Sequence, residues 1–156
     1  MIDYFALLQQ PRKPWLDPET LKEKYHELAR AAQPGQELNE AYRVLVDPKL
    51  RLQHLLTVEG APPSSASEQV PEELADLFMQ IAPMLNKIDM QQARRLDDLI
   101  GRVKQLSERT LEELRELDAN WKEQLPQIEK IYQRISHLTR WLALLEERRF
   151  QLHAAP

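Results

Sequence analysis

The chain has 156 residues, a formal net charge of −4, no cysteine, 3 glycines and 11 prolines. A chain of this length suits one domain or two small ones, and a core of that size buries roughly 70% of the unfolded surface without a disulfide or a metal. The lack of cysteine excludes thiolate metal sites, thiol nucleophiles and disulfides, and the negative balance gives no global attraction to nucleic acid or anionic lipid.

Abundant Leu, Glu, Gln and Arg with few β-branched residues predict an all-α protein. The start Met1-Ile2-Asp3-Tyr4 shows neither the basic nor the apolar region of a signal peptide. No apolar run approaches the roughly 18 residues of a membrane helix. The expectation is a cytoplasmic protein that does not enter a membrane.

In chain order, Tyr4-Phe5-Ala6-Leu7-Leu8 reads as a short helix that Pro11 and Pro14 stop, because neither donates a backbone hydrogen bond. Asp17 followed by Pro18 is a helix-start signal, and a second helix is predicted over 18–32 with Leu21, Tyr25, Leu28 and Ala32 on one stripe. Pro34-Gly35 closes it. A third helix over 37–46 has Leu38, Ala41, Tyr42 and Leu45 on its inner face. Asp47-Pro48 repeats the start signal before a segment, 50–58, that presents Leu52, Leu55 and Leu56.

Residues 61–71, rich in proline, serine and alanine, form the one clear linker. Beyond it, Leu74, Leu77, Phe78 and Ile81 make an apolar face that Pro83 kinks or shortens. Two long helices follow, over 89–118 and 121–152, with apolar residues at alternating three- and four-residue steps; Pro126 marks a break or a start within the second. Joined by a short polar connection, they predict an antiparallel hairpin about 40 Å long, closed into a three-helix bundle by the helix around Leu77. The expected domains are 1–60, a linker over 61–71, and a bundle over 72–156.

Asp3-Tyr4-Phe5-Ala6-Leu7-Leu8, the stretch 21–28, Asn39-Glu40-Ala41-Tyr42-Arg43-Val44-Leu45, and Asp47-Pro48 with 51–56 together resemble a J-domain. With the linker and the long hairpin, the order and spacing resemble HscB-type co-chaperones of iron–sulfur cluster assembly over nearly the whole chain. The resemblance implies a J-like N-terminal domain that engages a DnaK-type chaperone and a C-terminal three-helix bundle that engages a scaffold protein through an apolar patch. It places the chaperone contact at Lys22, Lys24 and Arg30 on the second helix and at Gln33-Pro34-Gly35 after it. It places the scaffold contact at Leu77-Phe78-Met79 and Trp141.

The departures matter as much. The family's loop carries a His-Pro-Asp tripeptide that switches on the chaperone ATPase, and here only the proline remains. Gln33 keeps hydrogen bonding, but Gly35 offers neither charge nor side chain, so the tripeptide reads as a helix-ending turn. The connection from Gly35 to Leu38 is shorter than in relatives. Glu19, Glu23 and Glu27 alternate with the basic residues of the second helix and partly cancel their field. Ala82-Pro83 stands where relatives continue the scaffold patch with a leucine and acidic residues.

No other chemistry stands out. His26, His54, His137 and His153 share no ligand spacing and read as exposed or capping residues, so no metal site is expected. Asp97-Asp98 and Glu146-Glu147 lie among arginines and read as solvated ion pairs, not as an acid/base dyad. With no phosphate loop and no nucleophile elbow, no catalytic residue and no cofactor are expected. Arg94-Arg95, Arg102, Lys104 and Arg109 are interleaved with acidic residues and read as a solvated face, not a nucleic-acid stripe. The sequence therefore predicts a non-enzymatic, co-chaperone-like adaptor, a monomer or weak dimer, whose protein partner is an iron–sulfur scaffold or a DnaK-type chaperone. Stimulation of that chaperone is expected to be lost or altered. The alternative is a self-associating helical hairpin with no chaperone link.

Overall fold

The computed structural model describes residues 1–31, 35–64, 69–86 and 89–154. Among these it holds seven α-helices and no strand: α1 (Tyr4–Leu7), α2 (Pro18–Ala31), α3 (Gln36–Val46), α4 (Pro48–Val58), α5 (Ala75–Ile81), α6 (Ala93–Glu116) and α7 (Leu125–Ala154). Short 3-10 turns lead into α5, α6 and α7, and another follows α5. No helix is long and apolar enough to cross a membrane, among the residues described.

At α1, α4 and the turn before α6, short polar side chains take up the free amides of the helix start. The Asp3 carboxylate accepts from the N–H groups of Phe5 and Ala6 at the start of α1. Asp47 does the same for Lys49 and Leu50 at α4, with Pro48 at the first turn where its missing N–H costs nothing. Asp89 and Gln92 form a capping box in the turn before α6. Pro126 stands at the second position of α7, so it marks a helix start and the preceding turn, Trp121–Gln124, is 3-10. Pro83 falls in the 3-10 turn Ala82–Leu85, which ends α5 after seven residues.

By contacts the chain divides into two compact units. The first is Met1–Ser64 together with Glu113–Tyr132, and the second is Ser65–Glu112 together with Gln133–Pro156. The linker alone does not mark this division, because the tip of the α6–α7 hairpin groups with the J-like helices. Physical ties account for that. The Arg115 guanidinium lies 4.8 Å over the Trp15 ring, Lys13 pairs with Asp118 at 3.2 Å, and Ser64 donates through its amide and hydroxyl to Glu129. Leu114, Trp121, Ile128 and Ile131 are buried in the same unit as Phe5, Leu8, Leu45, Leu52 and Leu55.

Within the first unit, α2 buries only Leu21. Tyr25 and Leu28 are half-buried, and Ala32 lies outside the described residues. The contact between α2 and α3 is instead an edge of stacked rings, Tyr25 on Tyr42 at 4.5 Å, with the Tyr25 hydroxyl bonded to Asn39. Arg51, on α4, is buried and donates to the carbonyls of Pro14 and Leu45.

The second unit is the three-helix bundle. Leu74, Leu77, Ile81 and Met84 from α5 and its flanking turns meet Leu96, Leu99, Ile100 and Val103 of α6 and Leu138, Trp141 and Leu145 of α7. Ion pairs Asp97–Arg149 and Lys104–Glu146 show α6 and α7 running antiparallel. Glu73 meets Arg134 and the Leu85 carbonyl accepts from Arg148, so α5 runs parallel to α7. The exposed Asp97–Arg149 and Lys104–Glu146 pairs contribute little; burial of the apolar stripes holds the bundle.

Candidate functional site

Two groups of residues carry the sequence expectations, one in each unit. In the first, the end of α2 and the start of α3 form the corner that a chaperone-activating loop occupies in a J-domain. Gln33 and Pro34 lie outside the described residues, and Gly35 is exposed. Gly35 adopts ordinary extended backbone, φ −72°, so nothing in its conformation demands glycine. No atom lies within 4 Å of a Cβ built there, and a side chain fits without strain. The Gly35 carbonyl accepts from Leu38 and Asn39, but no side chain caps α3.

The basic residues of α2 are only partly available. Lys24 is half-buried and engaged with Glu27 at 3.0 Å. Arg30 is exposed and turns its Nε back onto the His26 carbonyl in the last turn. Lys22 is exposed. The corner therefore offers one exposed lysine, an arginine folded along its own helix and no carboxylate at position 35.

In the second unit, α5 and α7 place the four expected contact residues at different depths. Trp141 is 2% exposed and Leu77 4% exposed, both in the bundle core. Phe78 is half-buried, its ring 5.5 Å from that of Trp141. Met79 is 73% exposed. The α7 seam runs through Leu138, Trp141 and Leu145, with Leu142 half-buried beside it, so the indole and not Leu142 fills the seam, where the Phe78 ring of α5 meets it. Only Met79, with the outer edge of Phe78, faces solvent.

One histidine, His137, differs from the sequence expectation, and another, His54, takes its capping alternative. His137 is buried, 5.6 Å from the Trp141 ring, and its Nδ1 accepts from Arg140 at 3.1 Å. His54 is half-buried and stacked on Tyr4 and Phe5. Single histidines in helical stretches give no spacing signal, so only the tertiary packing reveals them. Among the described residues no cluster of three or more His, Asp or Glu side chains is arranged to hold a metal ion.

A J-like set of short helices followed by a three-helix bundle with a long hairpin is a build shared with solved structures. The chain is similar to the crystal structure of the human co-chaperone protein HscB, with a TM-score of 0.72 and 18% identity over 99% of this chain and 83% of that one. It is also similar to the chaperone HscB from Vibrio cholerae, with a TM-score of 0.69 and 17% identity over 97% of this chain and 99% of that one. The fold is therefore HscB-like along nearly its whole length. No protein-family profile and no curated protein matches the chain by sequence.

Proposed function

We propose that this protein is a non-enzymatic, cytoplasmic adaptor of the co-chaperone kind. It binds a client or scaffold protein through its bundle and has lost the loop-dependent stimulation of a DnaK-type chaperone. The observation that carries this reading is an HscB-like fold over 99% of the chain combined with glutamine and glycine at the two functional positions of the loop. The neighbours bear the names of a co-chaperone and a chaperone, which supports a role in protein binding.

Single-turnover ATPase assays with DnaK-type chaperones of the source organism test the loop. The expected result is hydrolysis no faster than with the chaperone alone. Because Gly35 tolerates a side chain, Gln33→His with Gly35→Asp is a fair gain-of-function control, and any stimulation it restores marks the corner as an altered J-domain corner. Strong stimulation by the native chain that Gln33→Ala and Gly35→Ala abolish would overturn the proposal. A pull-down with an iron–sulfur scaffold as the probe tests the named partner. Sedimentation equilibrium separates a monomer or weak dimer from the self-associating hairpin.

A further inference from the structure

α1 has four residues, too few to persist unless something holds it. Its first amides are all accounted for. Asp3 takes those of Phe5 and Ala6, and the Tyr4 N–H donates to Nε2 of His54, 50 positions away on α4, at 3.0 Å. The same imidazole stacks on the Tyr4 ring at 4.6 Å and the Phe5 ring at 5.7 Å, with interplanar angles of 24° and 25°. His54 thus completes the cap of α1 from across the unit and clamps its first two side chains.

A ring nitrogen that accepts a hydrogen bond carries no proton, so this geometry needs the neutral imidazole with its hydrogen on Nδ1. Protonation would turn Nε2 into a donor facing another donor. It would also place a cation at a helix N-terminus, where the peptide dipoles already present positive charge. We infer that His54 is an acid-sensitive latch, which holds α1 on α4 while neutral and releases it when protonated.

The surrounding charges do not rescue the cation. Asp3 is the nearest carboxylate, but it is committed to Arg12 at 2.9 Å and to two amides. Arg12 also reaches Glu59 at the end of α4, at 2.7 Å, which leaves that carboxylate engaged as well. From α3, Arg43 shares with Tyr4 and His54 a cleft of about 260 Å³, and its own partner is Glu40. Asp47, at the far end of α4, is occupied in capping that helix. Burial pushes the His54 pKa down, Asp3 pulls it up and Arg12 pushes it down again, leaving it below 6.5.

The sign follows. The released state binds the proton more tightly, so the ratio of latched to released chains falls as pH drops below 6.5, by up to about tenfold per pH unit. The fall stops once pH passes below the latched-state value.

Nuclear magnetic resonance of the full chain between about pH 7.5 and about pH 5 tests the latch, because that window spans imidazole titration. The His54 ring is expected to titrate below its ordinary value, with the Tyr4 amide shift and the exchange protection of Phe5 and Ala6 following the same midpoint. His54→Gln keeps an acceptor near Nε2 without titrating, and in it those amides should be flat with pH. An identical pH response in His54→Gln overturns the latch. If that variant does not fold, the native chain decides: a His54 that titrates at or above its ordinary value, or a Tyr4 amide that ignores its titration, overturns it equally.

Discussion

Arg51 shows how much a single buried residue does and how little the sequence reveals of it. It is 4% exposed, and its guanidinium donates through Nε to the Pro14 carbonyl and through Nη1 to the Leu45 carbonyl, both at 2.9 Å. Leu45 belongs to the last turn of α3, where unpaired carbonyls favour a cation. Burial lowers the Arg51 pKa to about 10, so the group stays charged at neutral pH. Arg51→Met leaves two inward carbonyls without a donor and should cost about 2–4 kcal/mol in urea denaturation of the full chain. Arg51→Lys keeps the charge but not the fork, and should recover only part of that loss. Equal stability of all three chains would show that water replaces the guanidinium. An arginine between Leu50 and Leu52 reads as the wet side of a helix, and its acceptors lie 6 and 37 positions away. Contacts at such separations leave no local pattern to read.

Among the elements, α5 and α7 separate packing from exposure within one short segment. Apolar spacing in the sequence was enough to predict both helices and their closure with α6 into a three-helix bundle, with α5 kinked or shortened at Pro83; the parallel run of α5 and α7 was not legible there. It could not assign Trp141, because positions 141 and 142 both suit a seam and only tertiary packing separates them. Trp141→Ala removes a fully buried indole and should destabilise the bundle by about 3–5 kcal/mol. Met79→Ala removes an exposed side chain and should change stability by less than about 0.5 kcal/mol. If α5 is the contact surface, Met79→Ala nevertheless weakens capture of the partner while its thermal melt matches the native chain. Capture at native strength would remove Met79 from the proposed surface. Loss of capture in Trp141→Ala says nothing by itself about contact, since it tracks unfolding.

At the scale of the whole molecule, the linker visible in the sequence and the grouping visible in the structure differ. Residues 61–71 read as a boundary because proline, serine and alanine cannot build a core. The ties that bind residues 113–132 to the first 64 join side chains as far apart as Lys13 and Asp118, which no composition shift reports. A consequence is that the J-like helices should not be self-sufficient. Chains of about 60 residues bury only about 60% of their unfolded surface and are marginal alone. A fragment of residues 1–64 also loses the Arg115–Trp15 stack, the Lys13–Asp118 pair and the Glu129 acceptor of Ser64. Those polar ties alone are worth about 1–2 kcal/mol, and the loss of Trp121, Ile128 and Ile131 from the unit adds to it. Hydrogen exchange of α3 and α4 amides should therefore show lower protection in the fragment than in the full chain, by roughly tenfold or more for a deficit of that size. Trp15→Ala in the full chain should reproduce part of that drop, since it removes the stacking partner of Arg115 and leaves the rest of the tip in place. Equal protection in fragment and full chain would mean that the hairpin tip only lies beside the J-like helices and contributes nothing to their stability.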